Sequence, residues 1–164
     1  MDNNAVPTKG NLIRAKNSLK LAKQGYELMD KKRNILIREL MGLVDQAKDI
    51  QDEIRTTFTT AYAALQKADM ELGINAVADV ARNVPVEDTV EVKTRSIMGT
   101  EIPLVRYDAA TRAPAYAFYS TKESLDIARV SFEKVKDLTI KLSAVENSAY
   151  QLAANIKKAQ KRAN

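Results

Sequence analysis

A seven-residue spacing of apolar residues runs through the first half of the chain. Apolar side chains recur at every seventh position from Leu12 to Ala68, and a second apolar series lies three residues after the first. Only Arg33 and Thr57 interrupt these series, and no proline falls inside the repeat. A heptad pattern of this length predicts one helix over residues 11–75 with a narrow apolar seam along one side.

The same spacing returns in the last part of the chain, where it predicts a second long helix over residues 119–164. At ~1.5 Å per residue the first helix would be about 95 Å long. A helix of that length must bury its seam against another long helix. We therefore predict a mainly α fold, a long antiparallel two-helix coiled coil within a single elongated domain over residues 1–164. The predicted seam comprises Leu12, Leu19, Tyr26, Met29, Leu36, Leu40, Leu43, Ile50, Ile54, Val135, Leu138, Leu142, Val145, Leu152 and Ile156.

An insert over residues 76–118 separates the two predicted helices. The helical pattern ends at Gly73, and residues 76–81 could form a short second helix. The insert also contains three of the four prolines, so the long helix cannot continue through it.

Alternating apolar and polar residues inside the insert predict a β-hairpin at about 90–107. Two alternating runs flank a glycine, and the proline in the second run restricts that strand to the edge of a sheet. Because an isolated hairpin is marginal in water, we expect this one to pack on the helices or on another chain. The residues assigned to it are Val90, Val92, Ile97, Met98, Gly99, Ile102, Pro103 and Leu104.

The composition argues against an enzyme. Cysteine and histidine are both absent, which removes thiol nucleophiles, imidazole bases and the commonest ligands of zinc. The sequence contains no glycine-rich phosphate loop, calcium loop or nucleophile elbow. We expect no catalytic, cofactor-binding or metal site. No stretch is apolar for long enough to predict a membrane span.

The net charge of +5 is unevenly distributed, since the two ends of the chain are basic and the middle is acidic. An antiparallel coil would bring two basic clusters together. That basic surface is compatible with a solvated helix face, with an acidic protein partner or, least favoured, with nucleic acid, for which no reading helix or stacking platform is evident. We expect no nucleic-acid partner. The residues are Lys31, Lys32, Arg33, Lys157, Lys158, Lys161 and Arg162.

Three segments, taken in order, resemble one known family, the D subunit of the V-type and archaeal A-type ATP synthases. Members of that family continue past the position equivalent to residue 164, so we expect the partner of the first turns of the long helix to lie beyond this sequence. The matching segments are Pro7-Thr8-Lys9 with Leu21-Ala22-Lys23, Gly25 and Lys31-Lys32-Arg33; Ile97-Met98-Gly99 with Ile102-Pro103; and Gln151-Leu152-Ala153 with Ile156-Lys157-Lys158-Ala159.

The resemblance implies a rotor shaft that is itself non-catalytic. The expected partners are the F subunit of the central stalk, the catalytic A and non-catalytic B subunits, and the C subunit (called d in eukaryotes) on the membrane ring. The resemblance implies a cytoplasmic location, peripheral to the membrane, and coupling to proton or sodium transport. It also leads us to expect the basic residues at the hexamer and the hairpin beside the F subunit. The main alternative is a freestanding coiled-coil scaffold or an adaptor that binds the membrane surface through its basic ends.

Overall fold

The computed structural model describes residues 7–86, 89–107, 114 and 116–163. Two long helices with a two-stranded antiparallel hairpin between them confirm the predicted fold class. The predicted insert also contains residues 87–88, 108–113 and 115, and the predicted second helix ends on residue 164, all outside the described residues. The elements are α1 (Lys9–Leu72), α2 (Ile74–Arg82), β1 (Glu91–Ile97), β2 (Thr100–Arg106), a 3-10 turn (Phe118–Ser120) and α3 (Glu123–Ala163).

The ends of α1 lie where local chemistry stops a helix. Thr8 is its N-cap, and the Thr8 hydroxyl accepts a hydrogen bond from the Asn11 amide at 3.3 Å. The helix ends at Gly73, which has a φ of 88°. Residues with a Cβ rarely adopt a φ of this kind. At the other end of the insert, α3 begins later than expected because residues Phe118–Ser120 form a separate 3-10 turn.

Side-chain bonds along its length show that α3 runs antiparallel to α1. Ser124 Oγ donates to Glu71 at 2.6 Å, and Lys134 pairs with Glu53 at 2.9 Å. Further along, Gln51 donates to Glu146 at 3.2 Å. Rising residue numbers on α3 therefore meet falling numbers on α1, as an antiparallel coil requires.

The predicted seam residues differ in how deeply they lie in the pair. Leu36, Val135, Leu138 and Leu152 are buried. Half-buried positions are Met29, Leu40, Leu43, Ile50, Ile54, Leu142, Val145 and Ile156. Leu12, Leu19 and Tyr26 are more than half exposed, at 55%, 57% and 54%. Burial along α1 therefore starts near Met29, where α3 comes alongside.

The hairpin closes with a two-residue turn. Met98 has a φ of 50° and Gly99 a φ of 74°, and two positive φ values in succession match the right-handed twist of the flanking strands. Ile97 pairs with Thr100 beside the turn, and the pairing continues to Glu91 and Arg106.

The glycines inside α1 provide a stability prediction. A Cβ built on Gly25 or Gly42 meets no described atom within 4 Å, so these glycines are not required by a closely approaching backbone. We expect Gly42→Ala to raise the free energy of unfolding by about 0.8–1 kcal/mol, because alanine loses less backbone freedom in a helix. Urea denaturation followed by circular dichroism measures the change. Gly73→Ala is the matched control and should lower stability, since the φ at that position is positive.

Candidate functional site

The hairpin joins the two long helices in one apolar cluster. Leu36 of α1, Ile102 of β2 and Leu152 of α3 are 0%, 4% and 0% exposed and pack together. Four half-buried residues complete the cluster, namely Leu40, Leu43, Ile97 and Ile156. The hairpin is therefore a fixed part of the helix pair, and we call this cluster the three-way junction.

Two tyrosines tie the second half of the insert to α3. Tyr107 donates its hydroxyl hydrogen to Asp137, and Tyr116 donates to Asp126. The ammonium group of Lys136 also lies 5.7 Å from the centre of the Tyr107 ring, within the range of a cation–π contact. The pKa of each tyrosine is raised above its usual value of 10, mainly because the ring is partly buried. The hydrogen bond to the aspartate and the negative charge of that aspartate raise it further. Both hydroxyls therefore stay protonated and act as donors at neutral pH.

The end of the helix pair at Gly73 forms a second apolar cluster. Ala68, Val77 and Leu125 are its buried members, and Tyr116 packs against them. An open groove of about 400 Å³ lies between α2 and α3 beside this cluster, with Val80 and other mainly apolar residues along its walls. We call this end of the molecule the closed end.

The opposite end of α1 exposes its apolar face. The apolar residues there are more than half exposed because no described element packs on these turns. Such a long apolar surface on a protein marks an interface. We call this segment the open end, and its exposed residues are Leu12, Ile13, Leu19, Leu21, Tyr26 and Leu28.

The predicted basic residues lie between the three-way junction and the open end. On α1, Lys31 is exposed, while Lys32 and Arg33 are half-buried, and Arg33 pairs with Asp30 at 2.6 Å. A Cβ on Gly99 would lie 4.0 Å from the Lys32 ammonium nitrogen, so the hairpin turn reaches this cluster. On α3, the four predicted basic residues lie beside and beyond Ile156, which packs at the junction. They are all exposed: Lys157, Lys158, Lys161 and Arg162.

The predicted hairpin residues divide between buried and exposed positions. Ile102 is buried, whereas Ile97 and Pro103 are half-buried. The others are exposed, and Met98 and Gly99 form the turn. The exposed set is Val90, Val92, Met98, Gly99 and Leu104.

Several contacts that hold the insert against α3 were not predicted from the sequence. Ser148 Oγ lies 3.3 Å from the Pro103 carbonyl oxygen and shares its one hydrogen between that oxygen and the Ala144 carbonyl at 2.7 Å. The Tyr107–Asp137 and Tyr116–Asp126 bonds also hold the insert. These contacts join residues that lie in different elements, so no local spacing marks them.

The described part of the chain shows neither a membrane-spanning helix nor a metal-binding cluster. None of its helices contains a stretch that is both long enough and apolar enough to cross a bilayer. It also contains no group of three or more carboxylates arranged to hold an ion.

A family model for the D subunit of ATP synthase matches residues 11–164. The chain belongs to the ATP synthase D-subunit family. Among curated members of this family, the V-type ATP synthase D subunit of Thermotoga neapolitana is 40% identical over 159 residues, which are 97% of this chain and 78% of that protein. The A-type ATP synthase D subunit of Thermococcus kodakarensis is 32% identical over 164 residues, covering 98% of this chain and 77% of the relative. That of Pyrococcus furiosus is 34% identical over 161 residues, with coverage of 96% and 75%.

Membership of the D-subunit family makes this chain a component of a V/A-type ATPase complex. The resemblance inferred from the three sequence segments is thereby confirmed.

Proposed function

We propose that this chain is the rotor shaft of the central stalk. In this role it mechanically couples ATP hydrolysis or synthesis in a catalytic hexamer to ion translocation through a membrane ring. The observation that carries the proposal is the helix α1, whose 64 residues correspond to a rod about 96 Å long. The pairing of α1 with α3 and the membership of the chain in the D-subunit family support the same role.

The shape of the helix pair suits the transmission of torque. Each helix is about 10 Å across and paired helix axes lie about 8–10 Å apart, so the cross-section is about twice as long as it is wide. A surrounding ring can push on such an oblong section but would slip around a circular one. The seam holds the two helices together, so a push on one helix is passed to the other.

The ends and middle of the rod suggest where its partners bind. We assign the open end and the basic residues to the inside of the hexamer of catalytic A and non-catalytic B subunits. The closed end, with its apolar groove, would seat on the C (or d) subunit of the membrane ring, and the F subunit would bind near the hairpin. The chain would thus be cytoplasmic and peripheral to the membrane, with catalysis located in other subunits.

A single-molecule rotation assay tests the shaft role. The chain has no native cysteine, so Asn75→Cys at an exposed site of α2 gives a single attachment point for a bead. With the hexamer fixed to glass, we expect ATP to drive stepwise rotation of the bead in one direction. A complex that hydrolyses ATP while its bead stays still would rule out the shaft role. A bead attached to the hexamer itself is the static control.

Charge reversal tests the assignment of the basic residues. We expect the combined changes Lys31→Glu, Lys32→Glu and Arg33→Glu to lower ATP-driven ion transport several-fold, because contacts with acidic loops of the hexamer would become repulsive. The deficit should shrink as salt is added, since exposed charges are screened. The helix content of the variant should be unchanged.

The control reverses three exposed basic residues of α1 that lie outside this cluster, Lys48, Arg55 and Lys67. Those changes should lower ion transport less than the triple reversal at Lys31, Lys32 and Arg33 does. Transport that is equally unaffected in both triple variants would exclude the basic residues from the coupling mechanism.

A further inference from the structure

The two edges of the hairpin differ in which backbone groups they present. Beside a two-residue turn the first cross-strand pair is hydrogen-bonded, and bonded and non-bonded pairs then alternate. Ile97–Thr100 is therefore bonded and Thr94–Pro103 is not. The N–H and C=O groups of Thr94 and of its neighbours two positions away, Val92 and Ser96, point away from β2. On β2 the corresponding outward residues are centred on Pro103.

The outer edge of β2 is closed. It faces α3, where Ser148 Oγ lies 3.3 Å from the Pro103 carbonyl oxygen. Proline has no N–H, so this position leaves no donor unsatisfied against the helix. Another strand cannot add on this side because α3 already occupies it.

The outer edge of β1 is open. Among the described elements β1 pairs only with β2, and every residue from Glu91 to Ser96 is exposed. The strand contains no proline, and Val92 is 66% exposed. A strand edge of this kind is a template for another strand. The three-way junction and the tyrosine contacts hold it in place, so little of it needs ordering when a partner binds.

The charges on β1 disfavour a second copy of this chain as the partner. Lys93 and Arg95 project from the same face of the strand. If two copies of β1 paired antiparallel about Thr94, Lys93 of each copy would lie opposite Arg95 of the other. Like charges directly opposite one another destabilise a sheet. The same two side chains would attract carboxylates, and the exposed pair between Lys93 and Glu91 at 3.7 Å is weak enough to exchange.

We propose that β1 binds an acidic, extended segment of another protein as a third strand of the sheet. The segment supplies backbone partners for Val92, Thr94 and Ser96. Its carboxylates, at alternate positions, lie beside Lys93 and Arg95. Its other face carries β-branched residues beside Val92, which suit a pleated surface. This interaction goes beyond the shaft role and does not depend on it.

The test uses a synthetic eight-residue peptide of alternating glutamate and valine with blocked ends. The isotopically labelled chain is titrated with the peptide, and amide hydrogen exchange is measured by NMR. We expect the amides of Val92, Thr94 and Ser96 to exchange at least ten-fold more slowly in the complex. The amides of Lys93 and Arg95 already face β2 and should change little. Peptide binding without this alternating protection, or no binding, would overturn the proposal.

Thr94→Pro is the variant that blocks the edge. Thr94 lies opposite Pro103 in a non-bonded pair, so the change removes an outward N–H without breaking the hairpin ladder. We expect peptide affinity to fall at least ten-fold, while the matched control Thr94→Val keeps it. Equal affinities of these two variants would contradict strand addition, and equal binding of a lysine–valine peptide would contradict the acidic preference. If Thr94→Pro unfolds the hairpin, the blocked backbone is placed in the peptide instead. A peptide that is N-methylated at alternate amides must then bind the unmodified chain at least ten-fold more weakly than the unmethylated peptide does.

Discussion

Replacing Leu152 with alanine should lower the free energy of unfolding by about 2–5 kcal/mol, as for other fully buried leucines. Leu152 is 0% exposed and lies between α1, the hairpin and α3. Its truncation leaves a cavity bordered by three separate elements. Relaxation of any one of them cannot fill the space without breaking its contacts with the other two. We therefore expect a loss near the upper end of this range.

Urea denaturation followed by circular dichroism measures the effect of Leu152→Ala, and amide exchange of β2 adds a local readout. We expect the hairpin amides to exchange faster, because Ile102 loses one of its two buried partners. The control is Leu21→Ala at a position that is 68% exposed, where a change within about 0.5 kcal/mol is expected. Equal losses in the two variants would mean that the three-way junction does not stabilise the helix pair.

The sequence predicted the long elements of this fold because their signals are local. A heptad spacing predicts a seam wherever the chain is helical, and a glycine such as Gly73 marks the end of the helix. The hairpin was equally visible, since Met98-Gly99 separates two alternating runs.

The spacing does not show whether a partner helix lies beside a given turn. Leu12, Leu19 and Tyr26 fit the heptad as well as Leu36 does, yet they are exposed in this chain. Conversely, the polar residue Thr57 interrupts the apolar series and yet is buried. Its hydroxyl donates to the Glu53 carbonyl of its own helix at 2.8 Å, so the polar atom is satisfied inside the seam.

The fixing contacts of the insert could not be predicted for a different reason. Tyr107 and Asp137 are 30 positions apart, and Ser148 and Pro103 are 45 positions apart. Each contact depends on how the hairpin folds back against α3. The position of the hairpin against α3 depends on the packing of Ile102 in the three-way junction. The spacing of residues within the hairpin does not specify this packing.

The seam changes character between the three-way junction and the closed end. Near the junction α1 buries a large residue, Leu36, whereas toward the closed end it buries Ala61 and Ala68. There α3 supplies the bulk through buried residues such as Leu125. Large residues facing small ones let the two helices approach closely and still fill the space between them.

Ala61→Glu should therefore destabilise the pair strongly. Ala61 is 0% exposed, so the larger side chain must force the helices apart or bury a carboxylate. We expect a loss of about 3–5 kcal/mol at neutral pH, the cost of an uncompensated buried charge. Ala63→Glu is the matched control because Ala63 lies on the same helix but is exposed. It should change stability by less than about 0.5 kcal/mol.

The pH dependence separates a buried charge from overpacking in Ala61→Glu. Burial raises the pKa of the new carboxyl above its value in the unfolded chain, about 4.3. Between these two pKa values the folded state binds more protons than the unfolded state, so stability falls as the pH rises. Relative to Ala63→Glu, the deficit should be smaller at pH 4 than at neutral pH. A deficit that is the same at both pH values would assign the loss to steric separation of the helices, and no deficit would show that the alanine seam does not hold them together.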